Sequence, residues 1–264
     1  MRPMPYTRQA LHESRRFGVR PVPPLRPLAW LAMGWRDLWR CPLPSLLQGL
    51  GLALIGSLIL TLARDRFWLL AGAFSGFLLV APILATGFYA LSHALELGRR
   101  PDLGTVAQAW WPRNGQLVKF GLLLALAGTG WVLVSAALIT AYAPGHISTP
   151  ADFLRRVVLA PEGYLFEVWL ALGALLAAPV FASTVVAVPL LMEQRMRVLA
   201  AVFASWRVVM EHPAPIALWA FLIMALTLLG MATFMLGLVL VLPLLGHASW
   251  HAYRDLVRRP QGEH

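Results

Sequence analysis

The stretch Gly246-His247-Ala248-Ser249-Trp250-His251-Ala252-Tyr253-Arg254-Asp255 holds the densest group of residues able to do chemistry. His247 and His251 stand four apart, so on a helix both rings reach toward one point, with Arg254 close to the same face. Two imidazoles at that spacing form a chelate for a transition metal such as zinc or copper. A third ligand must come from another segment, and His93 is the candidate. The glutamate of the H-E-x-x-H pattern is missing, which excludes that hydrolytic chemistry. The competing reading gives the two histidines a structural task, hydrogen-bonding to neighbouring helices at a helix end. The rest of the chain holds no nucleophile–base set, phosphate loop, dinucleotide fingerprint or paired catalytic carboxylates. The sequence therefore predicts no enzyme and no cofactor, with a bound transition metal or haem as the alternative.

Composition decides what kind of element must carry these side chains. Of 264 residues, 59% are hydrophobic and only 13% are charged, and the mean hydropathy is +0.67. A soluble domain carries about 25% charged residues, and a soluble fold of this size would leave large apolar patches facing water. The single cysteine, Cys41, excludes an internal disulfide and any multi-cysteine metal site. The net charge of +10 comes from basic residues that flank apolar runs instead of forming one patch. That distribution points to anionic lipid on one side of a bilayer and away from nucleic acid.

Apolar runs at about 45–63, 67–95, 117–142, 164–192 and 213–257 are long enough to span, given the roughly 20 residues a crossing needs. A repeat divides the chain. Leu28-x-x-Leu31-x-x-x-Trp35, Leu103-x-x-Val106-x-x-x-Trp110 and Leu199-x-x-Val202-x-x-x-Trp206 share one spacing, on one helical face. Each precedes an apolar run, as expected of a short interfacial helix anchored by Trp35, Trp110 or Trp206 at headgroup level. A second element recurs at an offset of 97: Leu78–Thr86 matches Leu175–Ser183, Glu96 aligns with Glu193, and Arg100 with Arg197. A looser copy runs from Gly237 to Leu245.

The sequence thus predicts an all-α, polytopic membrane protein of six transmembrane helices in three parallel two-helix repeats, 28–101, 102–197 and 198–260. The last run must then hold two spans, near 213–229 and 232–257, turning around Gly230. Residues 1–27 read as an Arg/Pro-rich, extended cytoplasmic tail, and 28–260 as a single transmembrane domain. Six spans put 18 of the 22 basic residues on the cytoplasmic side, where five would leave 15. The positive-inside rule favours six, with both termini cytoplasmic in a bacterial inner membrane.

Pro82, Pro179 and Pro243 fall within spans and are expected to kink them, as is Pro189. The centres of the spans carry no charge, which argues against a pump or an ion-coupled transporter. Gly72-x-x-x-Gly76 and Gly173-x-x-x-Ala177 offer small-residue faces for close helix packing. Glu167 reads as a side chain snorkelling to the outer interface.

Trp30-Leu31-Ala32-Met33-Gly34-Trp35-Arg36-Asp37-Leu38, with Pro243 through Arg254, resembles an uncharacterised bacterial family of predicted integral membrane proteins, a domain of unknown function. The resemblance extends over about 20–260 and implies a membrane location without an established activity. Some members carry the label cytochrome c oxidase subunit I. Of the seven histidines here, His12, His146, His212 and His264 fall in tails or loops, leaving His93, His247 and His251 near helices.

Three roles remain open to the sequence. The first is a non-enzymatic accessory or scaffold component whose partners are the bilayer, other membrane proteins or further copies of itself. The second is a metal- or haem-handling protein assisting a respiratory oxidase. The third is a small transporter or lipid-handling protein with its site at the kinked helices.

Overall fold

A computed structural model describes residues 6–63, 83–111, 115–160 and 163–258. Helix α1 (Tyr6–Ser14) is followed by a two-residue strand β1 (Gly18–Val19), then α2 (Arg26–Arg40) and α3 (Pro42–Ala63). Next come α4 (Thr86–Glu96), α5 (Leu103–Trp110) and α6 (Gly115–Tyr142). A helical turn, Pro150–Phe153, runs into π-helical Leu154–Val158. Helices α7 (Leu165–Thr184), α8 (Ala187–Glu193), α9 (Val198–Glu211), α10 (Pro213–Ala232) and α11 (Leu238–Leu256) lead to strand β2 (Val257–Arg258).

Four stretches among the described residues are long and apolar enough to cross a membrane: Pro42–Leu62, Gly115–Tyr142, Leu165–Glu193 and Pro213–Ala232. Most of the expected span at 67–95, with Pro82 and the Gly72-x-x-x-Gly76 motif, lies outside the described residues. The last expected span is helix α11, which buries polar side chains together with its apolar ones.

Each Trp motif lies on a helix that precedes a long apolar one in the chain: α2 before α3, α5 before α6, and α9 before α10. Proline makes two of these junctions. A residue before proline is driven out of the helical region by the ring, and Cys41 (φ −137°, ψ 62°) and His212 (φ −131°, ψ 57°) adopt the same conformation. Pro42 and Pro213 then begin the next helix, where a missing N–H costs nothing.

Contacts divide the chain into two units. The first comprises 1–53, 82–120 and 182–264, and its centre is α11 packed on α2 and α4. Gly34 lets α2 meet α11, because a Cβ there would sit 2.7 Å from the Ala248 nitrogen. The described part of the expected tail, residues 6–27, departs from the extended chain that its proline content implies. Helix α1 packs on α9, where the Arg197 guanidinium lies 5.3 Å from the Tyr6 ring centroid and bonds Gln9 at 2.6 Å. Strand β1 pairs antiparallel with β2, Gly18 opposite Arg258 and Val19 opposite Val257. Arg207 donates to the carbonyls of Ser14 and Phe17, so this segment is tied down by partners far along the chain.

The expected turn around Gly230 falls later. Helix α10 runs through Gly230 to Ala232, and the turn is Thr233–Gly237, with Phe234 and Met235 left-handed at φ 53° and 67°. Thr233 stabilises it, donating to the Gly230 carbonyl at 2.8 Å and accepting from the Gly237 N–H at 2.9 Å. Gly230 instead serves close packing: a Cβ there would lie 2.7 Å from Leu238.

The prolines divide in their effect. Pro179 and Pro243 lie inside helices that run through them. The break in the Leu165–Glu193 stretch falls at residues 185–186, immediately ahead of Pro189. Pro189 has no N–H to give the carbonyl four residues back, and its ring displaces that turn. Ser205 of α9 repairs the opening, accepting from the Val186 N–H at 3.3 Å and donating to the Ala182 carbonyl at 2.6 Å. The start of α4 has a parallel arrangement, in which Gln48 and Trp110 both donate to the Leu84 carbonyl, at 2.9 and 3.2 Å.

The second unit comprises 54–81 and 121–181. Ile139, Ile147 and Val157 form its buried cluster, flanked by Phe153, Phe166 and Trp169. Trp169 donates to Ser135 at 2.6 Å, and its ring lies 5.7 Å from that of Trp131. Gly173 gives Trp131 room, since a Cβ would approach the ring to 3.1 Å. Glu167 is exposed in the first turn of α7 and borders a cavity of about 460 Å³ that Tyr142, Arg156 and Tyr164 also line.

Candidate functional site

Helix α11 carries a polar cluster into the middle of the first unit. His247 is fully buried, and both ring nitrogens are engaged: Nε2 lies 2.9 Å from the Ser45 hydroxyl and Nδ1 lies 2.8 Å from the Ser92 hydroxyl. Ser92 donates to Asp37 Oδ2 at 2.7 Å, and His251 Nε2 meets the same oxygen at 2.8 Å. These distances fix the direction of the chain. Ser92 has one proton and gives it to the carboxylate, so its oxygen accepts from His247 Nδ1–H. His247 Nε2 then accepts from Ser45. The Ser45 oxygen is in turn 3.4 Å from the Cys41 sulfur, which donates to the Asp37 carbonyl at 3.3 Å.

Asp37 explains why α2 presents an acid to the interior. The buried residues of α2 are Pro27, Trp30, Gly34, Asp37 and Leu38, the spacing of one helical stripe. A carboxylate on that stripe needs donors, and Ser92 of α4 and His251 of α11 supply them. Burial, the largest influence on the Asp37 carboxyl, pushes it up. The hydrogen bonds from His251 and Ser92, with the nearness of both imidazoles, outweigh it and hold the carboxyl below its ordinary value. Burial pushes the Cys41 thiol up, so this cysteine is held as the protonated donor and not as a reactive thiolate.

The sign of the pH dependence follows. A carboxyl lowered by folding stabilises the fold above its unfolded pKa of about 3.9, and that contribution fades as pH falls through the folded value. Stability of the purified chain is expected to drop from about pH 4 downward, and Asp37→Asn to flatten that acid limb. Thermal unfolding across the acid range checks this; superimposable acid limbs for the two proteins would contradict it.

A second group lies along the same helix. Arg254 pairs with Glu96 at 2.5 Å and stands 4.0 Å from Glu193. Trp250 donates to Glu96 at 3.2 Å, and the Tyr253 hydroxyl donates to Glu193 at 2.5 Å. His93 lies 4.0 Å from each of these carboxylates, with its ring 5.0 Å from that of Trp250. Further along, Asp255 accepts from Arg26 at 2.6 Å and from Trp30 at 2.8 Å. One helix thus supplies six polar side chains that contact α2, α3, α4 and α8.

His247 and His251 do not converge on one point: His251 bonds the Asp37 carboxylate directly, whereas His247 reaches it only through the Ser92 hydroxyl. His93 belongs to the other cluster, beside Glu96 and Glu193. Among the described residues no three of His, Cys, Asp and Glu are disposed to hold a metal ion. Trp35 and Trp110 are each 43% exposed and Trp206 is 37% exposed, while Trp110 also donates to the Leu84 carbonyl and Trp206 to Ser183. Asp37, Ser45 and Ser92 were missed by sequence reasoning. An acid on the apolar stripe of α2 was the signal for the first, whereas nothing distinguished the two serines.

A family model described as "Predicted integral membrane protein (DUF2189)" matches residues 69–193. This segment, just under half of the chain, is similar to that family. DUF2189 is a domain of unknown function, and with four apolar stretches of spanning length among the described residues it marks the chain as an integral membrane protein embedded in lipid. The DUF2189 segment contains Glu96 and Glu193 but neither Trp30–Leu38 nor Pro243–Arg254, the stretches on which the resemblance was drawn. No curated protein and no solved structure matches the chain.

Proposed function

We propose that this protein is a non-enzymatic accessory or scaffold component of the bacterial inner membrane, which holds other membrane proteins or further copies of itself. The observation that carries the reading is the closure of the polar clusters. His247, His251, Arg254, Glu96, Glu193 and Asp37 bond to one another and to serines, tryptophan and tyrosine within the fold. Groups that would bind a metal or move protons are occupied in tying α11 to its neighbours. A rigid end of a helix bundle is what a scaffold requires.

Six spans in three parallel repeats, with both termini cytoplasmic, belong to this reading. Pairing of Gly18–Val19 with Val257–Arg258 supports it, because two chain ends that hydrogen-bond require an even number of crossings between them. The shared conformation of Cys41 and His212 supports the repeat, as does the convergence of Glu96 and Glu193 on Arg254. The arginine distribution assigns that face to the cytoplasm.

Mild cross-linking in native membranes, followed by purification of the full chain, tests the proposal. Reproducible adducts with a membrane protein or a second copy are expected, and a lone monomer under all conditions would overturn it. Metal analysis and an absorption spectrum of the same preparation provide the second arm. Stoichiometric metal or haem that is lost in His247→Ala/His251→Ala would replace the scaffold reading with a metal-handling one.

A further inference from the structure

Helix α2 has two faces of different character. Pro27, Trp30, Gly34, Asp37 and Leu38 face the interior. The other side exposes Leu28, Trp35 and Trp39, and the rings of Trp35 and Trp39 meet edge to face at 5.6 Å. Arg36 and Arg40 are exposed beside them. Arg40 comes no closer than 3.9 Å to Asp37, whose other oxygen is held by Ser92 and His251. Arg36 has no acidic partner among the described residues, and no acid lies on this face of α2.

The apolar side of this surface continues into α3. Leu43, Leu47 and Leu50, at helical spacing, are each at least 40% exposed on a helix long and apolar enough to cross the bilayer. One junction residue, Cys41, separates that lipid-facing stripe from the paired tryptophans and arginines. Aromatic rings belong at headgroup level, where one edge is wet and the other apolar. Guanidinium groups at that level meet phosphate oxygens in bidentate geometry.

We propose that the outer face of α2 is a docking surface for anionic phospholipid headgroups, with Arg36 and Arg40 binding the phosphates and Trp35 and Trp39 seated among the glycerol and ester groups. The inference rests on the membrane placement of the chain and not on the scaffold reading. Zwitterionic lipid carries the same phosphate but adds a cation beside the arginines, so the surface selects for net negative charge.

The full chain, purified in mild detergent and examined by native mass spectrometry with added phosphatidylglycerol or phosphatidylcholine, tests this. Preferential retention of phosphatidylglycerol is expected. Arg36→Gln/Arg40→Gln is expected to weaken it on the order of tenfold, as two surface cations near an anionic headgroup imply. Arg99→Gln/Arg100→Gln, which removes the same charge elsewhere, is expected to leave retention unchanged. Equal losses in the two variants, or none in the first, would overturn the proposal. A photoactivatable phosphatidylglycerol in vesicles with the unaltered protein gives an independent reading. Adducts on residues 28–40 support lipid docking, whereas protein cross-links from Trp39 in their place would assign the face to a protein partner and overturn it.

Discussion

Replacing His247 with alanine is expected to destabilise the chain by about 3 kcal/mol or more, the largest single loss among the polar residues of α11. The imidazole is fully buried, so its removal leaves a cavity where neighbours cannot collapse without moving helices. It also strands two hydroxyls. Ser45 loses its acceptor and Ser92 loses its donor, and a buried polar group left unpaired costs about 1–3 kcal/mol. Ser45→Ala or Ser92→Ala alone is expected to cost about 1 kcal/mol, because each removes one bond and leaves the ring in place. The three sites share one hydrogen-bonded chain, so their effects are expected to be strongly non-additive. Denaturant titration of the detergent-solubilised chain measures the losses. A His247→Ala protein within 1 kcal/mol of the unaltered one would mean that the ring is not the centre of the cluster.

Much of this was legible from residue spacing. Apolar runs of spanning length located α3, α6, α7 and α10, because a bilayer imposes its thickness on any helix that crosses it. The breaks at Cys41 and His212 have a local, steric cause in the proline that follows each, although no break was read there from the sequence. The interval of four placed His247 and His251 on one face of α11, from which His251 meets Asp37 directly and His247 reaches it only through Ser92. What could not be read was the identity of the target. Asp37 lies more than two hundred positions before His251, and only tertiary packing brings them to 2.8 Å. The fate of residues 6–27 was hidden for the same reason. Their composition favours an extended chain, and the partners that order them, Arg197, Arg207, Leu256 and Val257, come from the other end of the sequence. The turn after α10 was misplaced because glycine marks both turns and close helix approaches, and Gly230 serves the second.

Gly49→Ala is expected to destabilise the chain by about 1–3 kcal/mol, although glycine-to-alanine changes in exposed helix interiors normally stabilise. The reason lies in Pro243. Its ring takes the N–H away from the carbonyl of Val239, four residues back, and that oxygen is left without its helical donor. Helix α3 approaches there through Gly49: an added Cβ would lie 2.4 Å from the Val239 oxygen and 3.0 Å from the Pro243 ring. Neither neighbour can give way, one being backbone and the other a closed proline ring, so α3 itself must move. Gly51, two residues on, is the internal control, with nothing within 4 Å of its added Cβ. Gly51→Ala is expected to be neutral or to stabilise by up to about 1 kcal/mol through helix propensity alone. The same denaturant titration separates the two variants, and matching stabilities would show that α3 is free to shift at Pro243. A pairing of proline on one helix with glycine on the next is therefore how this fold accommodates a proline inside α11: the freed carbonyl is covered by a backbone that no side chain holds away.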